Sequence, residues 1–443
     1  MKKLGLVLLS IIIIASLYYF STGSEQLKVE MKAQVNKELV SLQTQGFSVQ
    51  NREISEEKEH FILSFDEPEK ISQFFTSKGA KVDAQEIEAL KGLQVGVDVA
   101  YLADAYSAVS FDMYPVTLPS VLTNSALSDE DQKIVEQLKK IMEKKALLVH
   151  LSLNKLGTGF KGHVKDIDEV IQGADKVHFT VASLTFSGDI KEDKIAKMQQ
   201  ELKDFSMDIA NELSMNLSGL TSQYILTGKS TYDYKTDYSI KKVILDGKSE
   251  FNIVMDELDA KSESFVKDGL ATGSLQTKAK KIAITEDQKN TILETLVFNM
   301  KANNFDIKAF EQLEKIDVND EKAMNAVFQQ LISQGIKLDI SDFSIAKITT
   351  EGQTIDGFSM NTTFNIDKSL NIAALQQNPM LAINAINANL DIALSQGLFA
   401  MVAQHPQAVM AMMLFQPKDV NNQKVYKIEL QNGSLKVNDI PAM

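Results

Sequence analysis

Alternation of apolar and polar residues constrains this chain more than any other feature. Between Leu217 and Ile284, apolar positions alternate with Lys, Asp, Ser and Thr in about six runs that short turns separate. Asp246-Gly247 is a typical hairpin turn because both residues tolerate positive φ. The pattern predicts an antiparallel meander with one apolar face and one face in water. Similar alternation predicts further strands at 47–54, 60–65, 337–349, 354–366 and 386–394. It also predicts paired strands at 150–155 and 159–165 across a Gly157-Thr158 turn, and a closing hairpin of 425–430 and 434–437 joined by Asn432-Gly433.

A second spacing, in which apolar residues recur three and four positions apart, predicts helices between the strands. Helices are expected over 24–45, 128–142 and 320–334, with Ser128 as the N-terminal cap of the second. The predicted fold class is therefore α+β, a large curved antiparallel β-sheet meander with amphipathic helices packed on it.

Two more helices are predicted from local signals. Asp189–Met215 carries an apolar seam at three-four spacing, formed by Ile195, Met198, Leu202, Phe205 and Ile209. Such a narrow seam fits either a coiled-coil partner or packing across the chain's own sheet, and its short length favours the sheet. Thr285-Glu-Asp-Gln288 has the composition of a capping box and predicts another helix start.

The N-terminus carries a charge-free, mostly apolar run, Leu4–Phe20, which follows two lysines and ends in three aromatic residues. At about 1.5 Å rise per residue, this run is near the lower limit for crossing a bilayer about 30 Å thick. A cleaved signal peptide and a retained anchor both fit, and the terminal aromatics favour the anchor. We therefore expect one N-terminal transmembrane helix that precedes the β-rich body, in a single-pass membrane protein with that body outside the cytoplasm.

This reading divides the chain into three segments. Residues 1–23 are the signal-anchor, which contacts the inner membrane through residues 4–20. Residues 24–125 are expected to form a stalk helix and a small α+β unit, and residues 126–443 a β-rich periplasmic body with covering helices.

Charge and rare residues limit the classes of partner. Lys and Arg number 46 against 59 Asp and Glu, and the net charge of −13 argues against nucleic acid. The chain contains no cysteine, which excludes disulfides, thiol nucleophiles and thiolate metal sites. Stability must therefore come from a buried core and from strand pairing.

The search for catalytic chemistry starts from the five histidines, His60, His150, His163, His178 and His405. No two of them have the short helical spacing of a zinc site. His150, His163 and His178 fall on predicted neighbouring strands, and the alternation places His150 and His178 on the polar face. An acid-base role for these side chains is the alternative to a simple polar face.

Other motifs are weaker. Acid pairs such as Asp166/Asp168 and Asp256/Glu257 are expected by chance in so acidic a chain. Ser239 and Lys242 have acyl-serine spacing but fall on a predicted strand. Asp317–Glu321 begins like a calcium loop and lacks its glycine and its bidentate glutamate. The sequence therefore assigns no catalytic, cofactor-binding or metal-binding residue and predicts no cofactor.

Two segments resemble a known family. Phe328–Ile345, with the Glu351-Gly352 turn and Gly357–Met360 after it, is similar to the bacterial YdgA-like envelope proteins, an uncharacterised family of unknown function. Tyr426–Asn438 is similar to that family's closing hairpin, although Asp439 stands where the family ends in glycine. The resemblance covers roughly Leu313–Asn438 and implies a β-rich fold in the cell envelope, without an active site. Together with the N-terminal anchor, it implies a single-pass protein of the bacterial inner membrane with its body in the periplasm.

These features together predict a non-enzymatic binding or scaffold role. The concrete form is an apolar or lipid ligand on a curved β-sheet, and an envelope protein is the other candidate partner. Met401, Met410, Met412 and Met413, among 17 methionines, could line such a groove or belong to the core. The alternatives are an envelope hydrolase that uses carboxylate and histidine chemistry, and an oligomeric assembly partner.

Overall fold

The computed structural model describes residues 27–77, 87–101, 104–123, 128–173, 175–191, 194–230, 232–313, 316, 320–372, 374, 381–404 and 415–441. The chain forms two compact units, Met1–Ser222 and Gln223–Met443. The sequence analysis placed its internal boundary earlier, between residues 125 and 126. Both units are mostly antiparallel strand, and each is described separately below.

The first unit begins with helix α1, Leu27–Thr44, whose predicted stripe Met31, Val35, Leu39 and Leu42 is buried. This helix was expected to be a stalk, but its buried stripe packs into the core of the first unit. The elements that follow are β1 Phe47–Ile54, β2 Lys58–Phe65, α2 Pro68–Ser77, β3 Gln94–Tyr101, β4 Ser107–Thr117, α3 Asp129–Glu143, β5 Val149–Asn154, β6 Gly159–Val164, β7 Ile167–Gln172, β8 Lys176–Lys191, β9 Lys194–Ile209 and β10 Leu213–Leu226.

Strands of the first unit pair in chain order from β1 to β6, and β8 then pairs with β9. Strand β8 is long enough to hold two neighbours on one edge, with β7 along Lys176–Val181 and β6 along Leu184–Asp189. One face carries a continuous buried core under α1, α2 and α3. The predicted cap of α3 is confirmed, since Ser128 and Asp131 form a reciprocal capping box.

The second unit contains strands β11 Tyr234–Asp246, β12 Phe251–Lys267, β13 Leu270–Glu286, β14 Lys289–Asp306, β15 Ile336–Thr350, β16 Gln353–Ile366, β17 Ile386–Ser395, β18 Lys418–Val420, β19 Gln423–Gln431, β20 Ser434–Val437 and β21 Ile440–Pro441. Strands β11 to β17 pair in chain order as an antiparallel meander, and β17 pairs with β19. The meander was predicted, but its strands are longer and fewer than expected, since residues 217–284 form four strands and not about six. The helices are α4 Ile307–Leu313, α5 Glu321–Leu331, α6 Leu381–Ala385 and α7 Gln396–Val402.

Buried residues of the second unit form two small clusters. One lies around α4 and α5 and includes Ala309, Val327 and Leu331. The other consists of Ile345 and Ile348 with Leu398 of α7. Most other apolar side chains of the described strands in this unit are only half-buried.

A line of irregular positions, with Thr295 on β14 and Gly357 on β16, crosses the sheet of the second unit, and we call it the crease. Leu293 and Leu296 are three positions apart on β14, yet both pack in the cluster under α7. A regular strand would point them to opposite faces, so the intervening Thr295, at φ 56°, reverses the alternation. On β16 the same level is occupied by Gly357, where a Cβ would overlap the carbonyl oxygen of Ile345.

The helix predicted over Asp189–Met215 is wrong, because this segment forms β9 and the start of β10. The register of β8 and β9 shifts between Asp189 and Ile190, which brings Ile195 and Met198 to the same face. Opposite Leu202 and Phe205, Ser183 at φ 53° has the same effect. Two local irregularities thus gave a strand the three-four spacing of a helix, and its seam packs against the unit's own core.

The helix predicted at Thr285 is wrong as well. Asp287 and Gln288, at φ 49° and 64°, form a two-residue turn that joins β13 to β14. Positive φ at both central residues is the geometry of a tight hairpin. The predicted turn at Asn432-Gly433 is confirmed and has the same geometry, with φ 50° and 79°.

The predicted fold class also needs correction at its N-terminal helix. Within the described residues, no helix combines the length and the apolarity that a bilayer crossing requires. The run Leu4–Phe20, to which the transmembrane helix was assigned, lies outside those residues. The single-pass inner-membrane placement is therefore not supported, and the membrane contact through residues 4–20 stays a prediction.

Candidate functional site

A row of ionisable side chains crosses the polar face of the first unit. Strand register places His60 opposite Asp98, Asp98 opposite Asp112, and Asp112 opposite His150. The row continues from His150 to His163 on β6, then to Thr185 on β8 and Glu201 on β9. Alternation in each strand directs these residues away from the core, as the sequence predicted for His150. Neighbours in such a row are close enough to interact.

His150 is held by two hydrogen bonds. Its Nδ1 lies 2.6 Å from Oδ1 of Asp112, and its Nε2 lies 2.9 Å from Oγ of Ser152 on the same strand. The ring also stacks on that of His163, with centroids 5.0 Å apart and planes at 29°. The orientation of His150 is therefore fixed from three sides.

His163 has a different environment, although it is the cross-strand neighbour of His150. Burial, together with the charge of His150, lowers the pKa of His163 below its ordinary value of 6.5. Its imidazole is consequently neutral at pH 7, with one donor and one acceptor nitrogen. Its ring makes no hydrogen bond within the described part of the chain.

Asp98 is the centre of a second cluster on this face. Its carboxylate accepts from His60 Nδ1 at 2.7 Å and from Lys145 Nζ at 3.0 Å. Burial would raise the pKa of Asp98, but the hydrogen bonds from Lys145, His60 and Tyr114 outweigh that effect and lower it. Lys145 also lies 3.6 Å above the ring of Tyr114. The ring in turn covers Gly96, where no side chain would fit.

A groove of about 930 Å³ lies beside the histidine pair. Strands β5, β6, β8 and β9 form it, and His150, His163, Thr185, Ser187, Gln199 and Glu201 are among its lining residues. Ser187 and Gln199 belong to the row next to the histidines, in which Ser152 faces Lys161 and Lys161 faces Ser187. The groove is thus built on paired strands, which hold its side chains at fixed spacing.

The contacts of His150 resemble the relay of an acyl-transfer enzyme, with an acid, an imidazole and a hydroxyl in sequence. Ser152, however, is only 1% exposed. Its strand is paired on both sides, with Ser110 and with Lys161, so neighbouring backbone amides are used by the sheet. A developing oxyanion on a substrate would find few free donors there. Among the described residues, no group of three or more His, Asp or Glu could hold a metal ion.

The other residues considered in the sequence lie apart. His178 pairs with Asp168 at 2.6 Å, and Asp166 accepts from the backbone amide of Ser183 at 2.7 Å. Ser239 and Lys242 lie on β11, opposite Asp259 and Asp256 of β12. Glu257 pairs with Lys280 at 2.5 Å. Met401 packs against the cluster under α7, while His405, Asp317, Met410, Met412 and Met413 lie outside the described residues.

The sequence analysis missed the partners that complete the polar row. Asp98 stands between Val97 and Val99, and Asp112 stands between Phe111 and Met113. An acid between apolar residues on a strand marks the face that is in water. That signal was available, but the register that brings Asp112 to His150 was not.

A second surface lies in the other unit and is apolar. One cross-strand row there contains the apolar residues Phe298, Phe343, Met360, Ile392 and Tyr426. The next row contains the apolar residues Leu275, Met300, Ile340, Leu390 and Ile428, with the polar Thr362 between Ile340 and Leu390. We call these two rows the apolar band. All ten side chains are half-buried, and Phe298 and Phe343 make an edge-to-face contact with ring centroids 5.8 Å apart.

Comparison with known proteins finds no match for this chain. No family model matches it, and neither a curated protein nor a solved structure does, so the resemblance to the YdgA-like family stays a prediction.

Proposed function

We propose that this chain is a non-enzymatic binding protein and that its second unit holds an apolar chain, such as the acyl chain of a lipid. The apolar band is the observation that supports this proposal. Its ten apolar side chains lie in two adjacent rows across strands β13 to β17 and β19, which Thr362 interrupts on β16, and none of them is fully buried. Large contiguous apolar surfaces of this kind mark sites of interaction.

The band belongs to a sheet that is apolar on one side only. On β16 the residue after Met360 is Asn361, which is exposed on the opposite face. Gln276, Asn299 and Asp391 occupy the corresponding positions of neighbouring strands. Covering the apolar side with an acyl chain would remove apolar area from water at about 25 cal/mol per Å², or about 0.8 kcal/mol per methylene. A hydrocarbon chain therefore suits this surface better than a polar ligand.

Fluorescence titration of the purified full chain with cis-parinaric acid tests the proposal. Met360→Lys places a charge in the middle of the band and should weaken binding about tenfold or more, equivalent to about 1.4 kcal/mol. Asn361→Lys is the matched control, since it adds the same charge to the opposite face of the same strand. Equal affinity in both variants, or no binding by the unchanged chain, would contradict the proposal.

One observation favours the hydrolase alternative, namely the relay from Asp112 through His150 to Ser152. An activated serine would react with a fluorophosphonate probe, and Ser152→Ala would abolish the labelling. A binding protein predicts no labelling in either form, because Ser152 is buried and its surrounding amides are paired. Labelling that requires Ser152 would therefore establish the enzyme and overturn the non-enzymatic proposal.

A further inference from the structure

The groove of the first unit presents a set of polar side chains that have no partner. His163, Thr185, Ser187, Gln199 and Glu201 line it, and none makes a hydrogen bond or ion pair within the described part of the chain. They occupy two adjacent cross-strand rows, with Thr185 opposite Glu201 and Ser187 opposite Gln199. The groove floor therefore offers hydrogen-bonding groups that the protein itself leaves unused.

Other lining residues of the groove, in contrast, are fixed by internal contacts. His150 is bonded to Asp112 and Ser152, and Asp166 accepts from a backbone amide. Lys165 Nζ donates to the carbonyl oxygens of Lys144 and Lys145 at 3.2 and 3.4 Å. Free groups on a rigid frame are the arrangement that lowers the entropy cost of binding.

Charge limits what the groove can accept. Its carboxylates are Asp104, Asp166 and Glu201, and its ammonium groups are Lys161 and Lys165. Asp104 accepts from the amides of Tyr106 and Ser107, and Lys161 lies 4.2 Å above the ring of Tyr106. Only Glu201 keeps an uncommitted charge, which suits neither a phosphate-rich ligand nor a polyamine.

The hydroxyl groups of a ligand match these unbonded side chains, because each hydroxyl can both donate and accept a hydrogen bond. Glu201 only accepts, whereas Gln199, Thr185, Ser187 and a neutral His163 can do both. The uncommitted side chains lie on three neighbouring strands, β6, β8 and β9, which are about 4.8 Å apart, and they therefore span about 10 Å. That span is long enough for more than one sugar ring. We propose that this groove binds a polyhydroxylated ligand, a stretch of uncharged glycan, through Glu201, Gln199 and His163.

Saturation-transfer NMR on the full chain tests the proposal, with maltohexaose, cellohexaose and chitohexaose as probes. At least one of them should give a transfer signal. The double variant Gln199→Ala/Glu201→Ala should weaken its binding about tenfold or more, because it removes two hydrogen-bonding groups, one of them charged. Asp204→Ala is the matched control, since Asp204 is exposed on the same strand and does not line the groove.

Both altered side chains are exposed and make no internal bond, so the urea midpoint of the double variant should equal that of the unchanged chain. No signal from any of the three oligosaccharides would overturn the proposal, as would a signal that survives the double variant. Binding of tripolyphosphate or spermine in their place, lost in the double variant, would show a charged ligand and also overturn it. Met360→Lys should leave sugar binding intact, which separates this site from the proposed acyl-chain site.

Discussion

The two units bury their apolar side chains to very different extents. In the first unit, Phe61, Leu63 and Val95 are completely buried within one continuous cluster that also includes α1. In the second unit, the buried residues form two small clusters. The apolar band lies between these clusters and is only half-buried. The difference indicates that apolar area serves folding in the first unit and is left available for contact in the second.

Their polar faces differ as well. The first unit carries the connected row from His60 to Glu201, with acids and imidazoles in contact. The second unit carries separate lysine-acid pairs, such as Lys235–Glu263 and Lys280–Glu257. None of the described residues of the second unit is a histidine. Changes of pH between about 5 and 8 should therefore act mainly on the first unit.

The largest expected effect concerns the two apolar surfaces. Phe61→Ala removes a completely buried ring and should lower the free energy of unfolding by about 3–5 kcal/mol. Phe298→Ala, in the half-buried band, should lower it by less than about 2 kcal/mol, because part of the ring is already exposed and less apolar area is lost from the interior. Urea unfolding followed by circular dichroism measures both. Equal losses would mean that the band is a covered core, and the contrast between the units would fail.

The crease in the second unit gives a smaller effect of opposite sign. Thr295 is β-branched and has φ 56°, a conformation that costs an L-residue about 1–2 kcal/mol. Thr295→Gly relieves that cost, and the lost chain entropy of about 0.5–1 kcal/mol offsets part of the gain. We expect a net stabilisation of about 0.5–1 kcal/mol in urea unfolding. Thr291→Gly on the same strand, at ordinary φ, should destabilise instead; stabilisation by both would point to another cause.

Irregular positions such as those of the crease also explain which strands could be predicted from the sequence. Alternation predicted β1, β2, β15, β16 and β17 correctly. In β15 and β16 it is interrupted by irregularities, but the segments on either side of each interruption still show the two-residue repeat. It failed for β9, where a register shift and the irregularity opposite Ser183 restore the apolar face after three residues. Single positive-φ residues inside strands have no strong composition signal when they are Ser or Thr, so a helix was predicted.

The candidate site was predictable only in part. The polar orientation of His150 follows from its own strand, and the β5–β6 pairing follows from the Gly157-Thr158 turn. Asp112 precedes His150 by 38 residues, with α3 between them, so their contact depends on strand register. The sequence predicted an apolar sheet face in general. The position of the apolar band, between two clusters that helices cover, could be found only from the strand pairing of the second unit.

Lys145 offers a test of the polar faces. Lys145→Met should destabilise the chain by about 0.2–1 kcal/mol at pH 7, since Lys145 and Asp98 are both partly exposed. Because the pKa of Asp98 is lower in the folded chain than its unfolded value of 3.8, ionised Asp98 stabilises the fold at pH values above 3.8. This stabilisation is lost as the pH falls through the folded pKa. The difference between variant and unchanged chain in urea unfolding should therefore shrink towards pH 3. Lys280→Met, which breaks an exposed pair of the second unit, should have no measurable effect at either pH.

The smallest effect concerns His163. Because its folded pKa is below 6.5, the unfolded chain takes up the proton first, and stability should fall as pH decreases through 6.5. Thermal unfolding from pH 7.5 to 5 should show this loss, and His163→Gln should remove its share.

NMR titration of the His163 ring separates the two causes. The midpoint should lie below 6.5 in the unchanged chain. His150→Gln removes the opposing charge but not the burial, which is the larger cause, so the midpoint should rise only part of the way to 6.5. A full return to 6.5 would show that charge alone governs His163. An unchanged midpoint would mean that the stacked rings titrate independently, and the polar row would then be as unconnected as the ion pairs of the second unit.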